Sequence, residues 1–222
     1  MKKLSLLLMI PLLLSGCNKT MSEEEVLYNI LTNLMEKYDD VDKYEILMTY
    51  KGEEDYIVQF DDNNNYYHEE YKVKGVSKES NYVFYQNGTI YSLDETKKKG
   101  KSSNYLDKWI NTRNECNLLL STVIASELEC LNYVKLYFEG NDDNNDIEFE
   151  IIDNSSIDVT INYLNQEIDI SIKDYLVTNL KYNILQNGVN TNADIKINYD
   201  YDVVIPNIDD YDFSLDVPYI PF

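Results

Sequence analysis

The second half of the chain alternates apolar and polar side chains with a period of two, and no other feature restricts the fold as much. The alternation runs through residues 147–151, 157–161, 168–172, 180–184 and 195–201. Successive side chains of a strand point to opposite faces, so each segment would have one apolar and one polar face. This pattern is typical of antiparallel meanders, whereas buried parallel strands are apolar on both faces.

The first half shows the same pattern from Tyr44 onwards. Asn87-Gly88 lies between two apolar runs and is the strongest hairpin signal in the chain, because both residues tolerate the positive φ angles of a type I′ turn. The lysine-rich stretch 97–101 is expected to be a solvated loop. The strands predicted here are residues 44–50, 56–60, 66–73, 82–86 and 89–93.

Two segments have helical periodicity. Ser22 and Glu25 form a capping box, and apolar residues follow at helical spacing until about Tyr38. A second apolar pattern, over residues 104–130, predicts one or two helices inserted between the two groups of strands.

Together these elements predict an α+β fold with a large curved antiparallel sheet of about ten or eleven strands. Only the N-terminal helix and the insert 104–130 are available to cover it, and a one-sided sheet of this size tends to curl. We therefore expect a half-barrel with both helical segments over its concave face. One domain would span residues 22–222, and its acidic, aromatic C-terminus, residues 206–222, is expected to be an irregular strap.

The N-terminus resembles the leader of a bacterial lipoprotein. A basic pair precedes the apolar stretch 4–14, which is too short for a stable transmembrane helix. Residues 14–17, Leu-Ser-Gly-Cys, are similar to a lipobox at all four positions. The resemblance implies that residues 1–16 are a signal peptide, that Cys17 carries the lipid, and that residues 17–21 tether the domain to the outer face of the cytoplasmic membrane.

The charge of the chain excludes several partners. There are 40 acidic and 19 basic side chains, a net charge of −21 that becomes −23 once Lys2 and Lys3 leave with the signal peptide. This charge argues against nucleic-acid binding, which places cations against phosphates, and against docking of the domain on anionic lipid. The membrane is therefore expected as a partner through the lipid anchor.

The acidic turns offer two incomplete matches to a calcium-binding loop. Asp142 and Asp146 stand at ligand positions, but Ile147 replaces the turn glycine and Asp153 replaces the closing glutamate. The segment 61–72 fails at the same two positions. Polar hairpin turns explain both segments better than loose surface binding of Ca²⁺, so we predict no metal site and no cofactor.

Other reactive side chains are isolated in the sequence. His68, the one histidine, is expected to be an ordinary strand residue because no catalytic or metal-binding partner accompanies it. Cys116 and Cys130 would lie about 20 Å apart in a continuous helix, too far for a disulfide, although a bond between them is the alternative. There is no phosphate-binding glycine loop or serine nucleophile elbow, so an enzyme is not expected.

The order of lipobox, helix, antiparallel strands, helical insert and second antiparallel block resembles the half-barrel lipoprotein superfamily over about residues 22–205. This superfamily includes the periplasmic lipoprotein carriers and receptors of the Lol system and the mycobacterial glycolipid-binding lipoproteins. The resemblance implies a concave face that holds acyl chains beneath a helical lid. Some of these carriers secure the lid through a strand arginine, but the one arginine here, Arg113, lies in or near the insert, so no residue role is carried over.

The expected function is that of a non-enzymatic lipoprotein that binds an apolar or lipid-bearing ligand in the concavity of its sheet. The excess of one-sided sheet over covering helix favours this hypothesis. The alternative is an envelope protein–protein interaction or sensing module without a lipid ligand. The residues expected to line the ligand cavity, for which ordinary core packing is the alternative, are Leu106, Trp109, Ile110, Val123, Val58 and Phe60.

Overall fold

A computed structural model of the protein describes residues 21–103, 146–163, 166–186 and 189–214. These residues form helix α1 (Glu23–Asp39) and one antiparallel sheet of eleven strands. The predicted large antiparallel sheet with an N-terminal helix is therefore confirmed. The strands are β1 (Lys43–Tyr50), β2 (Glu54–Asp61), β3 (Tyr66–Val73), β4 (Val76–Gln86), β5 (Thr89–Asp94), β6 (Lys99–Ser103), β7 (Asp146–Ile151), β8 (Ile157–Tyr163), β9 (Gln166–Lys173), β10 (Leu176–Gln186) and β11 (Val189–Asn198).

The sheet consists of two meanders that join at its centre. Strands β1 to β6 follow one another in space, as do β7 to β11, and β1 pairs with β11. This order places β6 and β7 at the two edges of the sheet. Residues 104–145, which include the predicted helical insert 104–130, come between these two strands in sequence and lie outside the described residues.

Tight turns with positive φ angles connect the strands. The predicted turn Asn87-Gly88 has φ values of +51° and +83°, as a type I′ turn requires. A second turn of this kind, Lys74-Gly75, joins β3 to β4 with φ values of +54° and +74°. Strand β4 therefore begins at Val76, earlier than the alternation of apolar residues indicated.

The prediction of a solvated loop over residues 97–101 is wrong in part, because β6 starts at Lys99. This short strand contains no large apolar side chain, so its sequence has no strand signal. Backbone pairing with β5 holds it on one side. On the other side the Gly100 N–H donates to the carbonyl oxygen of Asp212 at 3.0 Å, and the Asp212 N–H donates to that of Lys98 at 2.9 Å.

Helix α1 begins where the sequence predicted. The Glu25 N–H donates to Ser22 Oγ at 3.2 Å, and the Ser22 N–H donates to Glu25 Oε2 at 2.9 Å, which completes the capping box. The helix buries one apolar stripe against the sheet. The fully or nearly fully buried residues of this stripe are Val26, Leu27, Ile30 and Leu34.

We call the face of the sheet that packs against α1 the inner face and the opposite face the outer face. The inner-face core is continuous from β7 to β5 and includes Phe60, Val83 and Ile90. Alternate residues of β3 to β5 point the other way and form a second, aromatic core on the outer face. We call this second core the outer cluster; its members are Tyr66, Tyr82, Phe84, Tyr91, Leu93, Tyr211, Val203 and Ile208.

The C-terminal segment 199–214 covers the outer cluster. It includes the described part of the predicted strap 206–222, and from here on the name strap refers to residues 199–214. Strand β11 ends at Asn198, short of the predicted Tyr201, because Asn198 Oδ1 accepts the Asp200 N–H at 3.0 Å and turns the chain. The strap is irregular apart from a short 3-10 helix, Ile208–Asp210. It ends beside β6, so it protects part of that edge of the sheet.

Candidate functional site

The inner face changes from apolar to polar along a single row of paired residues. Starting at β7, the row runs through aliphatic and aromatic residues, reaches tyrosines on β2 and β3, and ends at a carboxylate on β4. Each member is the direct pairing partner of the next on the adjacent strand. The row is Phe149, Val159, Ile170, Leu180, Ile195, Met48, Tyr56, Tyr71 and Glu79.

The neighbouring row makes the same transition on the same side of the sheet. Ile46 pairs with Val58, Val58 with Glu69, Glu69 with Asn81 and Asn81 with Asp94. Apolar side chains on β1 and β2 thus give way to carboxylates and an amide on β3 to β5. The inner face is therefore amphipathic from one meander to the other.

Helix α1 is fastened to the apolar part of this face through buried polar contacts. The backbone N–H of Val177, which is fully buried, donates to the hydroxyl of Tyr38 at 3.0 Å. The hydroxyl of Tyr199 donates to the Val177 carbonyl at 2.9 Å. Val177 lies beside a register shift between β9 and β10, so the tyrosines bond backbone groups where the ladder is irregular.

A second contact fixes the middle of α1. Asn29 Nδ2 donates to the carbonyl oxygen of Asn154 and to the hydroxyl of Tyr175, both at 3.2 Å. Tyr175 has a φ of +63°, an uncommon backbone conformation for an aromatic residue, in the turn between β9 and β10. This turn brings its ring to the helix.

Glu69 lies on the inner face where the apolar and polar parts meet. Its Oε2 accepts hydrogen bonds from Tyr67 Oη at 2.9 Å and Tyr56 Oη at 3.2 Å, and its Oε1 accepts one from Asn81 Nδ2 at 3.0 Å. Together with Tyr71, these residues form what we call the tyrosine patch. Tyr56 is 37% exposed and Glu69 is partly buried, so solvent reaches the patch.

The electrostatic surroundings of the patch are negative. Desolvation and the carboxylates of Glu54 and Glu79 raise the pKa of the Tyr71 phenol, and the phenol hydrogen-bonds to Glu54. Across Asn81, the nearby Asp94 is paired with Lys97 at 2.6 Å. Within the described part of the chain, no ion pair involves Glu69.

The outer face holds the buried histidine. His68 is 7% exposed, with Nδ1 3.1 Å from Gln59 Oε1 and Nε2 3.1 Å from Ser80 Oγ. Burial lowers the pKa of His68 to about 4, although Glu70 opposes this shift. His68 lies in strand β3, as the sequence predicted, and both of its ring nitrogens have hydrogen-bond partners.

A groove of about 380 Å³ runs along the solvent side of α1. It is lined by Met21, Glu25, Tyr28, Asn29, Thr32 and Asn33. These residues lie beside the buried stripe of the helix, and Asn29 among them also contacts Asn154 and Tyr175.

The structure describes two of the residues expected to line a ligand cavity. Val58 and Phe60 lie side by side on the inner face of β2, fully buried in the core. The rest of that set lies outside the described residues, as do the predicted anchor residue, the two cysteines of the predicted insert and the arginine: Leu106, Trp109, Ile110, Val123, Cys17, Cys116, Cys130 and Arg113.

One of the two calcium-loop matches is explained by its turn. Asp61 is buried, and its carboxylate accepts hydrogen bonds from the backbone N–H of Asn64 at 2.9 Å and from Asn64 Nδ2 at 2.8 Å. The other match begins at residues 142–145, which are not described. Among the described residues, no group of three or more His, Cys, Asp or Glu side chains is arranged to hold a metal ion.

Sequence reasoning missed Glu69, although a signal was present. Tyr67, Glu69 and Tyr71 occupy the same face of one strand, so a carboxylate interrupts an aromatic stripe. A charge at an otherwise apolar position of an alternating pattern is uncommon, and it marks a position where the polar group has a specific role.

No protein-family model matches the chain, and no curated protein matches it. The helix in the described part of the chain is neither long nor apolar enough to cross a membrane.

Proposed function

We propose that the protein is a non-enzymatic lipoprotein, anchored through Cys17 on the outer face of the bacterial cytoplasmic membrane. Its sheet is a half-barrel whose concave inner face binds an apolar or lipid-bearing ligand. The insert 104–130 lies with α1 over this face. The observation that carries the proposal is the long apolar row across the inner face, from Phe149 to Met48.

The inner face of the sheet is much wider than the helix that packs on it. Eleven strands at about 4.8 Å spacing give a sheet about 48 Å across. The 17 residues of α1 form a cylinder about 25 Å long and about 10 Å wide. The helix by itself covers a minor part of the inner face. Because Val159, Ile170 and Leu180 are at most 1% exposed, an acyl chain would lie towards the less buried Met48 and Tyr56.

The apolar side chains of that face favour a hydrocarbon ligand over a sugar or a nucleotide. Ile, Val and Leu side chains offer dispersion contacts and few hydrogen-bonding groups. An acyl chain buried there gains roughly 0.8 kcal/mol for each CH₂ group removed from water. Polar groups for orientation are supplied at one end of the face, by the tyrosine patch.

Photo-crosslinking tests the location of the ligand. A phospholipid with a diazirine in its acyl chain is incorporated into membranes that hold the full chain, and the labelled peptides are mapped by mass spectrometry. We expect labels on the less buried residues of the inner face, such as Met48 and Tyr56. Labels confined to outer-face residues of the same meanders, such as Lys181 and Lys196, would contradict the proposal.

A second candidate function, a protein-docking module, is favoured by the outer surface of the strap. Val204 and Ile205 are 72% and 42% exposed, and the aspartates 200, 202 and 209 lie close to them in sequence. Such an apolar pair with an acidic rim fits an apolar pocket with a basic rim. A photo-crosslinker at position 204 would then label one protein partner stoichiometrically, whereas a crosslinker at Val76, also a valine and 57% exposed, would not.

A further inference from the structure

We infer that the tyrosine patch binds an ammonium group, so that the ligand of the inner face is a cationic amphiphile. The inference deepens the proposed function and rests on it, because the hydrocarbon part of this ligand would lie on the apolar part of the same face. The carrying observation is the position of Glu69, at the point where the row Ile46, Val58, Glu69 changes from apolar to charged.

The hydrogen bonds of Glu69 leave room for one more donor. An ionised carboxylate has about four acceptor positions, and Tyr67, Tyr56 and Asn81 occupy three of them. All three donors are neutral, so they orient the carboxylate without neutralising its charge. A primary ammonium group supplies both a further donor and the missing positive charge.

The tyrosine rings supply a second kind of attraction. A cation within about 6 Å of an aromatic ring face is stabilised by roughly 0.5–1 kcal/mol at exposed sites. The chain already uses this contact elsewhere, since the ammonium groups of Lys43 and Lys51 lie 4.8 Å and 4.9 Å from the ring centres of Tyr201 and Tyr50. Tyr56 and Tyr71 flank Glu69 on the inner face and present rings to the same ligand.

The remaining charges of the patch select against anions. Glu54 and Glu79 lie close enough to raise the pKa of Tyr71, and they would repel a carboxylate or phosphate brought to the patch. The next residue along the row after Asp94 is Lys99 on β6, and Asp94 also forms an ion pair with Lys97 at 2.6 Å, so both of these lysines lie next to a carboxylate. A small free amine and the headgroup of an amine-bearing lipid both present an ammonium group. They differ in that only the lipid carries an alkyl chain.

The test uses the full chain in nanodiscs, with empty nanodiscs as the blank, and isothermal titration calorimetry. The probes are octylammonium, octanol and octanoate, which share one chain and differ in charge, and ethanolamine, which lacks the chain. In about 20 mM salt we expect octylammonium to bind about tenfold more tightly than octanol, and octanoate most weakly. Ethanolamine tests whether the amine alone suffices, and it should bind more weakly than octylammonium.

Two variants with the same charge change identify the site. Glu69→Gln should abolish the preference for octylammonium, whereas Glu70→Gln should retain it, because Glu70 points to the outer face and pairs with Lys72. Glu69→Lys should reverse the order in favour of octanoate. Circular dichroism and thermal melting verify that each variant is folded. In the wild-type protein, the preference for octylammonium should also shrink in about 1 M salt, because salt screens the charge of Glu69.

The outcomes separate the inference from the proposed function. Equal binding of the three octyl probes, or equal losses in Glu69→Gln and Glu70→Gln, would overturn the ammonium site and leave the apolar face intact. Tighter binding of ethanolamine than of octylammonium would exclude an amphiphile. If no octyl probe binds, the apolar ligand itself is excluded, and the inference fails with it.

Discussion

The imidazole of His68 stacks on the ring of Tyr82, with ring centroids 4.1 Å apart and planes 9° from parallel. This pair lies on the outer face, where β3 and β4 pair directly at these two positions. The stacking places a titratable ring in a buried aromatic environment. It therefore links the stability of the outer cluster to pH.

Acid should destabilise the protein through His68 before most carboxylates titrate. The unfolded chain takes up a proton at this histidine near pH 6.5, whereas burial lowers the pKa of the folded state to about 4. The free energy of unfolding should therefore fall as pH drops from 6.5 towards 4, by up to about 3 kcal/mol. Urea denaturation at a series of pH values measures this slope.

His68→Gln provides the control for the acid effect, because His68 is the one histidine of the chain. The variant retains hydrogen-bonding groups beside Gln59 and Ser80 but has no titratable ring. Its free energy of unfolding should be nearly constant between pH 6.5 and 5. A slope as steep as that of the wild-type protein would show that another group is responsible.

Loss of the Tyr38 hydroxyl should weaken the attachment of α1. Tyr38→Phe leaves the buried N–H of Val177 without its hydrogen-bond acceptor, which costs about 1–3 kcal/mol. Chemical denaturation gives the magnitude, and hydrogen exchange of the Val177 amide gives the location. Tyr28→Phe on the exposed side of the helix is the matched control and should change stability by less than about 0.5 kcal/mol.

Gly100→Ala should disturb the strap. A Cβ atom at Gly100 would lie 2.5 Å from the nearest ring carbon of Phe213 and 2.9 Å from Leu93. We expect a loss of about 1–3 kcal/mol and faster proteolysis of the C-terminal segment. In a Phe213→Ala background, Gly100→Ala should lower the free energy of unfolding clearly less, because the Phe213 ring that the new Cβ atom would meet is gone. Equal losses of stability in the two backgrounds would disprove this contact.

Cys17→Ser tests the anchor. Without a thiol the acyl transfer proposed for the lipobox cannot occur, so the variant should lose its acyl mass and its stable retention on membranes. Membrane fractionation and intact mass spectrometry measure both changes. Cys116→Ser is the control and should behave as the wild-type protein; retention of acyl groups in Cys17→Ser would place the lipid elsewhere.

The sheet was predictable because its signal is local. Residues 147–151 and 157–161 alternate strictly, and Asn87-Gly88 specifies a turn without tertiary context. Strand β6 was not predictable, since Lys99–Ser103 has polar side chains and is held by backbone pairs with β5 and Asp212. That kind of pairing depends on residues distant in sequence.

The candidate site was predictable only in part for the same reason. The apolar inner stripe of each strand follows from alternation, but the junction at Glu69 depends on register. Val58 pairs with Glu69 because the turn between β2 and β3 has a particular length. The environment of His68 likewise depends on register, because Gln59 and Ser80, which hydrogen-bond its ring, lie on the two neighbouring strands.

Native mass spectrometry of the full chain, gently extracted from membranes, tests most directly whether the inner face holds a lipid. The acyl groups proposed for Cys17 would be covalent and would survive collisional activation, whereas a bound ligand would dissociate. We predict a population heavier than the acylated protein by the mass of a lipid, released on activation and depleted by excess octylammonium. A single species with the mass of the acylated protein, from the gentlest conditions onwards, would contradict the account.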